Sequence, residues 1–229
     1  MQSLAVATRA HPNSRPASNV PRAPQDILRS LQPIGVVSTY DRDQAIFREG
    51  DSAMHWYQVV SGVLRTCKLL ADGRRQIGDF LLPGDIFGFE VGDRYTIDVE
   101  AIGPTSVARF ARSRVRLLLD TEAGLAARLP QLAFETVAKA HARLLVLARQ
   151  TAQERVVGFL LEMARRLAPG GNELVLPMIR QDIADYLCLT VETVCRMIAE
   201  LKRDGLIQVP SPQHIRLIDR PALADMVSA

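Results

Sequence analysis

The most specific chemistry in the chain sits on VETVCRMIAELKR, residues 191–203. Glu192, Cys195 and Arg196 stand there at i, i+3 and i+4, so a helix projects them from one face. Val194, Met197, Ile198 and Leu201 recur at the spacing of a buried stripe on the other side. Thr190 precedes them as an N-cap whose hydroxyl takes up an orphan backbone N–H. A carboxylate can accept from cytosine N4, and a guanidinium can fork onto guanine O6 and N7. The bland alternative is a solvated Glu–Arg pair at i,i+4, which contributes only a few tenths of a kcal/mol. The surroundings favour base reading. Arg180-Gln181 opens a preceding helix, Ala184 is small where two helices must approach, and Asp204-Gly205 ends the second helix. Met178 to Ile207 therefore predicts a helix-turn-helix whose second helix enters the major groove of double-stranded DNA.

Such a head needs a body to hold it. The chain has 229 residues, 48% of them hydrophobic, enough for two modest cores. No apolar run approaches the roughly 18 residues of a membrane span, and the first 30 residues hold no apolar core of a secretory signal. Three cysteines at unrelated positions (67, 188 and 195) make no disulfide framework, so a cytoplasmic location is expected. The net charge of +3 arises entirely in residues 1–30, which carry four Arg against one Asp. Residues 31–154 hold fifteen charges of each sign and residues 155–229 nine of each. Composition alone thus identifies no nucleic-acid binder; the inference rests on charge placed along one helix.

In chain order, residues 1–30 read as a flexible tail rich in Pro, Arg, Ala and Ser, its Arg9, Arg15, Arg22 and Arg29 serving solubility. Residues 31–128 read as a β-barrel of jelly-roll type. Short apolar strands alternate with glycines at 50, 62, 73, 78, 84, 88, 92 and 103, and Ala71-Asp72-Gly73 and Leu82-Pro83-Gly84-Asp85 are turn signals. Near Arg112 the apolar period changes from two to 3.6, giving a short helical piece at Arg114–Leu119. A long helix over 129–153 follows. Its Phe134, Val137, His141, Leu144 and Ala148 form a seam of coiled-coil type, beside a second line of Ala133, Ala140 and Leu147. One line is expected to pack on the barrel and the other on a second copy of the chain, making this a dimerisation helix. Residues 154–229 complete a winged helix-turn-helix: a helix carrying Val156, Phe159, Leu160 and Met163, a strand at Glu173–Leu176, the two reading helices, a wing across Pro210–Gln213 and a last helix from Pro221 to Val227. The fold class is α+β.

That order of elements resembles the CRP/FNR family of bacterial transcription regulators from about residue 35 to the end. The run RQTAQERVVGFLLEM at 149–163, with DIADYL at 182–187 and LTVETVCR at 189–196, is most similar to the FixK branch. The resemblance implies a homodimeric activator that reads a palindrome of TTGA-type half-sites and contacts RNA polymerase. It places Glu192 and Arg196 as base readers. Val191 stands where the family tunes choice between half-sites, and its side chain suits a thymine methyl. Arg180, Gln181, Thr190, Thr193 and His214 become candidate phosphate contacts that fix register.

The departures from the family matter as much. An iron–sulfur cluster of FNR type needs four thiolates, and the barrel and tail offer only Cys67, so no such cofactor is expected. In place of the family's cyclic-nucleotide signature stand Gly88-Phe89-Glu90-Val91 and Arg94-Tyr95-Thr96-Ile97, without the small residues that admit a phosphate. No metal or other cofactor is expected. Cys188 occupies a turn position where glycine is usual, at a cost of about 1 kcal/mol. Cys195, on the reading face, is a redox candidate: oxidation would set bulk and charge against a phosphate. It also reads simply as a small residue in a crowded groove. An effector-gated regulator with an unidentified small ligand in the barrel is the alternative function. An enzyme is not expected, because His11, His55, His141 and His214 are scattered and no paired-carboxylate or Cys-x-x-Cys signature is present.

Overall fold

The computed structural model describes residues 31–228 of the chain; the tail at 1–30 lies outside the described residues. After a short 3-10 turn at Gln32–Ile34 come eight strands: β1 (Val36–Tyr40), β2 (Ala45–Phe47), β3 (His55–Ser61), β4 (Leu64–Leu69), β5 (Arg75–Leu81), β6 (Ile86–Phe87), β7 (Asp98–Ala101) and β8 (Thr105–Ala111). They form two four-stranded antiparallel sheets, ordered β1-β8-β3-β6 and β2-β7-β4-β5, which close on each other as a jelly roll. Consecutive β3 and β4 lie in different sheets, so the chain must turn sharply at Gly62, whose φ is +81°. A Cβ there would come within 2.5 Å of the Pro104 carbonyl oxygen, so only glycine fits. Between the sheets lie Phe47, Tyr57, Val59, Leu64, Phe87, Tyr95, Val99 and Val107.

Three helices lead out of the barrel: α1 (Arg112–Thr121), α2 (Ala123–Arg149) and α3 (Ala152–Leu167). The long helix expected over 129–153 thus begins six residues earlier and ends four residues earlier. It continues through Pro130, which removes one intrahelical hydrogen bond without ending the helix. It stops because Thr151 starts a new helix. The Thr151 hydroxyl accepts from the Glu154 N–H, and the Glu154 carboxylate accepts from the Thr151 N–H, a reciprocal capping box. Of the second apolar line of α2, Leu147 is half-buried. Ala133 and Ala140 are exposed, as are Phe134, Val137, His141 and Leu144. Arg143 joins α2 to the body by hydrogen bonds to the Ile77 and Tyr186 carbonyls.

The C-terminal part builds a head from α3, β9 (Glu173–Val175), α4 (Arg180–Leu187), α5 (Val191–Arg203), β10 (Ile207–Ser211), β11 (His214–Leu217) and α6 (Arg220–Ser228). The wing is three-stranded, ordered β10-β11-β9, because Glu173–Val175 pairs antiparallel with His214–Arg216. One apolar core runs through the head and into the barrel. Val63, Cys67, Ile77, Phe80, Leu82 and Ile102 pack with Val156, Leu160, Ile183, Leu187 and Leu201. The head is therefore docked on its own barrel.

Ion pairs line that seam. Asp182 of α4, 1% exposed, meets Arg65 of β4 at 3.2 Å and Arg75 of β5 at 2.7 Å. Arg75 also binds Asp185 at 2.7 Å, and Arg65 binds Glu100 and Asp43, each at 2.9 Å. The Gln76 amide donates to the Asp185 carbonyl at 2.6 Å. Arg65 and Arg75 each have carboxylate partners, the condition for burying charge without a large desolvation penalty.

Candidate nucleic-acid interface

The sequence of α5 divides it into two unlike faces. Val194, Met197, Ile198 and Leu201 are buried in the head's core, while Glu192, Cys195 and Arg196 are exposed on the opposite side. Thr190 is the N-cap: its hydroxyl oxygen accepts from the Thr193 N–H at 3.2 Å and lies 3.1 Å from the Thr193 hydroxyl. Hydrogen bonds from its own backbone N–H and from the Thr190 side chain hold the Glu192 carboxyl below the usual carboxylate range. It is therefore an ionised acceptor at neutral pH. Among the described residues no ion pair within 4 Å joins Glu192 to Arg196, so neither charge is neutralised by the other. Val191, the first residue of the helix, is half-buried and packs against the edge of the core.

The turn before α5 is tight. Cys188 has φ +55° and ψ +45°, the left-handed conformation expected of a turn position where glycine is usual. Its N–H reaches back to the Ala184 carbonyl, and its Sγ lies 3.5 Å from Gln76 Oε1 on the barrel. The remaining candidates differ in how free they are. Gln181 is exposed, with its amide donating to Asp185 at 2.6 Å. Arg180 is half-buried at the start of α4, and its Nη1 is enclosed with no hydrogen-bond partner. Burial lowers its pKa, and the nearby Cys195 opposes that shift, so the guanidinium and the thiol lie within electrostatic range. His214, on β11 of the wing, has its Nε2 against Glu173, which also binds Arg216. Glu192, Cys195 and Arg196 thus share one surface with the N-terminus of α5, and His214 sits apart on the wing.

No local pattern in the sequence marks Asp182, Arg65 or Arg75, because the partners are 107 and 117 residues apart. Arg65 on β4 and Arg75 on β5 read equally well as part of a solvated sheet face.

The barrel interior is filled by its own side chains. Phe47 and Tyr95 stack with centroids 3.6 Å apart, and Tyr57 stacks on Phe87 at 5.2 Å. The Tyr95 hydroxyl donates to the His55 carbonyl at 2.8 Å. Arg94 turns its guanidinium to the Gly50 carbonyl at 2.6 Å, and Glu90 accepts from both the N–H and the hydroxyl of Thr96. A cyclic nucleotide needs a free cation for its phosphate and room for its sugar and base, so these residues do not fit one. A groove of about 310 Å³ lies outside the barrel, bordered by Gln32, Val37, Gln58, Gly84 and Phe110. Among the described residues no group of three or more His, Cys, Asp or Glu is placed to hold a metal ion, and no helix is long and apolar enough to cross a membrane.

Comparison with known proteins agrees with this architecture. Residues 37–122 match the cyclic nucleotide-binding domain, and residues 154–226 match the Crp-like helix-turn-helix domain. The chain is 44% identical over 194 residues to the nitrogen fixation regulation protein FixK of Azorhizobium caulinodans, covering 83% of this chain and 78% of that one. It is 39% identical over 221 residues to the protein of the same name from Rhizobium meliloti, covering 96% and 98% of the two chains. The structure of FixK2 from Bradyrhizobium japonicum superposes with a TM-score of 0.82 at 41% identity, over 86% of this chain and 98% of that one.

Proposed function

The chain belongs to the CRP/FNR family of transcription regulators, and on that premise we propose that it is a homodimeric activator reading a palindrome of TTGA-type half-sites. The observation that carries this reading is the two-faced α5. Its apolar side is locked in the head, and Glu192 and Arg196 are exposed on the opposite side with no ion pair between them among the described residues. Glu192 accepts from a cytosine N4 and Arg196 forks onto a guanine. Val191 and Cys195 complete the base-reading surface, with Val191 against a thymine methyl. Arg180, Gln181, Thr190, Thr193 and, on the wing, His214 set register by contacts to phosphate. RNA polymerase is the partner through which binding becomes activation.

The second copy is seated by α2. Phe134 is 74% exposed, Leu144 63% and Val137 51%, spaced as a seam on one helix face. A helix so apolar on its outer side needs a partner to cover it. The experiment is sedimentation of the full chain beside the double variant Phe134→Asp/Leu144→Asp. The wild type is expected to be a dimer that prefers a palindrome to one half-site, and the variant a monomer without that preference. A wild type that remains monomeric on its palindrome contradicts the reading.

No effector is needed in this account. The aromatic filling of the barrel and the occupied Arg94 support a head held ready without a cyclic nucleotide, and three cysteines in the chain are too few for a four-thiolate cluster. Thiol oxidation remains as the chemical input. The Cys195 thiolate takes an oxygen from hydrogen peroxide to give a sulfenic acid and hydroxide, and a second equivalent gives the sulfinic acid and water. The product sets charge on the surface that meets phosphate.

A further inference from the structure

The DNA-reading helices can read a two-fold site only if the two heads stand a fixed distance apart. That distance is set by how each head is fastened to the element expected to join the two copies. Arg143 of α2 makes such a connection. Arg143 donates through Nη2 to the Tyr186 carbonyl on α4 and, at 3.3 Å, to the Ile77 carbonyl on β5. Its guanidinium carbon lies 3.7 Å from the centroid of the Tyr186 ring. Three parts of the fold, the long helix, the barrel and the reading head, therefore meet on one planar group.

The surroundings make this a rigid joint. Tyr186 is itself wedged against Phe80 of the barrel at 5.0 Å and Phe159 of α3 at 5.7 Å. The carbonyls of Tyr186 and Leu187 belong to the last turn of α4, where no intrahelical N–H reaches them. Arg143 takes up the first and Arg155 of α3 the second, at 3.2 Å, and cations are favourable at that end of a helix. Arg155 also donates to the Leu147 carbonyl on α2 at 2.7 Å. The C-terminal end of α4, and with it the turn that sets the angle of α5, is tied to α2 through guanidinium groups.

We propose that Arg143 is a positioning residue for DNA reading: it fixes the separation of the two half-sites that the dimer accepts, without touching DNA. The proposal rests on the dimeric reading above and adds to it the residue that sets the spacing. A lysine keeps the charge but cannot both stack flat on Tyr186 and reach two carbonyls, so it substitutes only in part.

The test uses the full chain and a set of palindromes that share one half-site sequence and differ in the number of base pairs between the halves. Binding to a single half-site is measured beside them, and dimerisation is followed by sedimentation. Wild type is expected to prefer one spacing strongly. For Arg143→Gln that preference over neighbouring spacings falls about tenfold, the factor carried by about 1.4 kcal/mol, while single half-site affinity is unchanged. Arg143→Lys shows the same loss in smaller degree and carries the test if Arg143→Gln fails to fold. A selective wild type with equally selective Arg143 variants overturns this proposal alone. A wild type indifferent to spacing overturns the dimeric reading and this proposal with it.

Discussion

Asp182 on α4 and Arg75 on β5 lie 2.7 Å apart, with the carboxylate almost wholly enclosed. The first helix of the reading head is thus bonded to the wall of the barrel, and α5 faces solvent with its reading side free.

Removing that carboxylate charge should loosen the dock. Asp182→Asn weakens charge-assisted bonds to Arg65 and Arg75 and is expected to cost about 1.5–3 kcal/mol. The cost stays below that of orphaning a buried ion because Arg65 keeps Glu100 and Arg75 keeps Asp185. Urea unfolding of wild type and variant measures it. An unchanged midpoint would mean that the seam contributes nothing to stability.

Stability should also fall on mild acidification, and His55 accounts for a defined part of the fall. Burial, and then the charge of Arg109, lower its pKa in the folded protein. The folded state resists protonation that the unfolded chain accepts. The contribution is therefore complete above the unfolded value of about 6.5 and is lost as pH falls through the lower folded value. Urea midpoints at successive pH values should show a steeper acid-side decline for wild type than for His55→Asn. Parallel declines would remove His55 as the cause.

Peroxide should weaken DNA binding by wild type and spare Cys195→Ser. Cys67 serves as an internal contrast, because burial pushes its thiol up to about 11 and leaves it inert. Equal loss of affinity in wild type and Cys195→Ser would locate the damage elsewhere and remove Cys195 from the account.

Much of this was legible in the chain because it is local. The stripe Val194, Met197, Ile198 and Leu201 and the N-cap Thr190 define α5 within one helix length, and Cys188 marks the turn by standing where φ must be positive. The strands of the barrel follow from turns that sequence chemistry announces. The limits of α2 were misplaced for two reasons. The expected start at 129 lies next to Pro130, yet the helix runs through that residue from Ala123. The Thr151-x-x-Glu154 capping signal, present in the sequence, sets the true end. The seam between barrel and head was invisible, since Asp182 and Arg65 become partners only after both units have folded. The same holds for Arg180 and His214, whose enclosure and ion pairing depend on neighbours distant in sequence.

The central claim is that Glu192 and Arg196 read bases, and selection of bound sequences from random double-stranded DNA tests it most directly. Wild type should yield a two-fold symmetric site with TTGA-type halves. Glu192→Ala should lose preference at one base pair of each half, and Arg196→Ala should bind that site more weakly by about 1–3 kcal/mol per half-site. If all three proteins returned the same site with the same ratio of specific to scrambled DNA, base reading by this helix would be wrong.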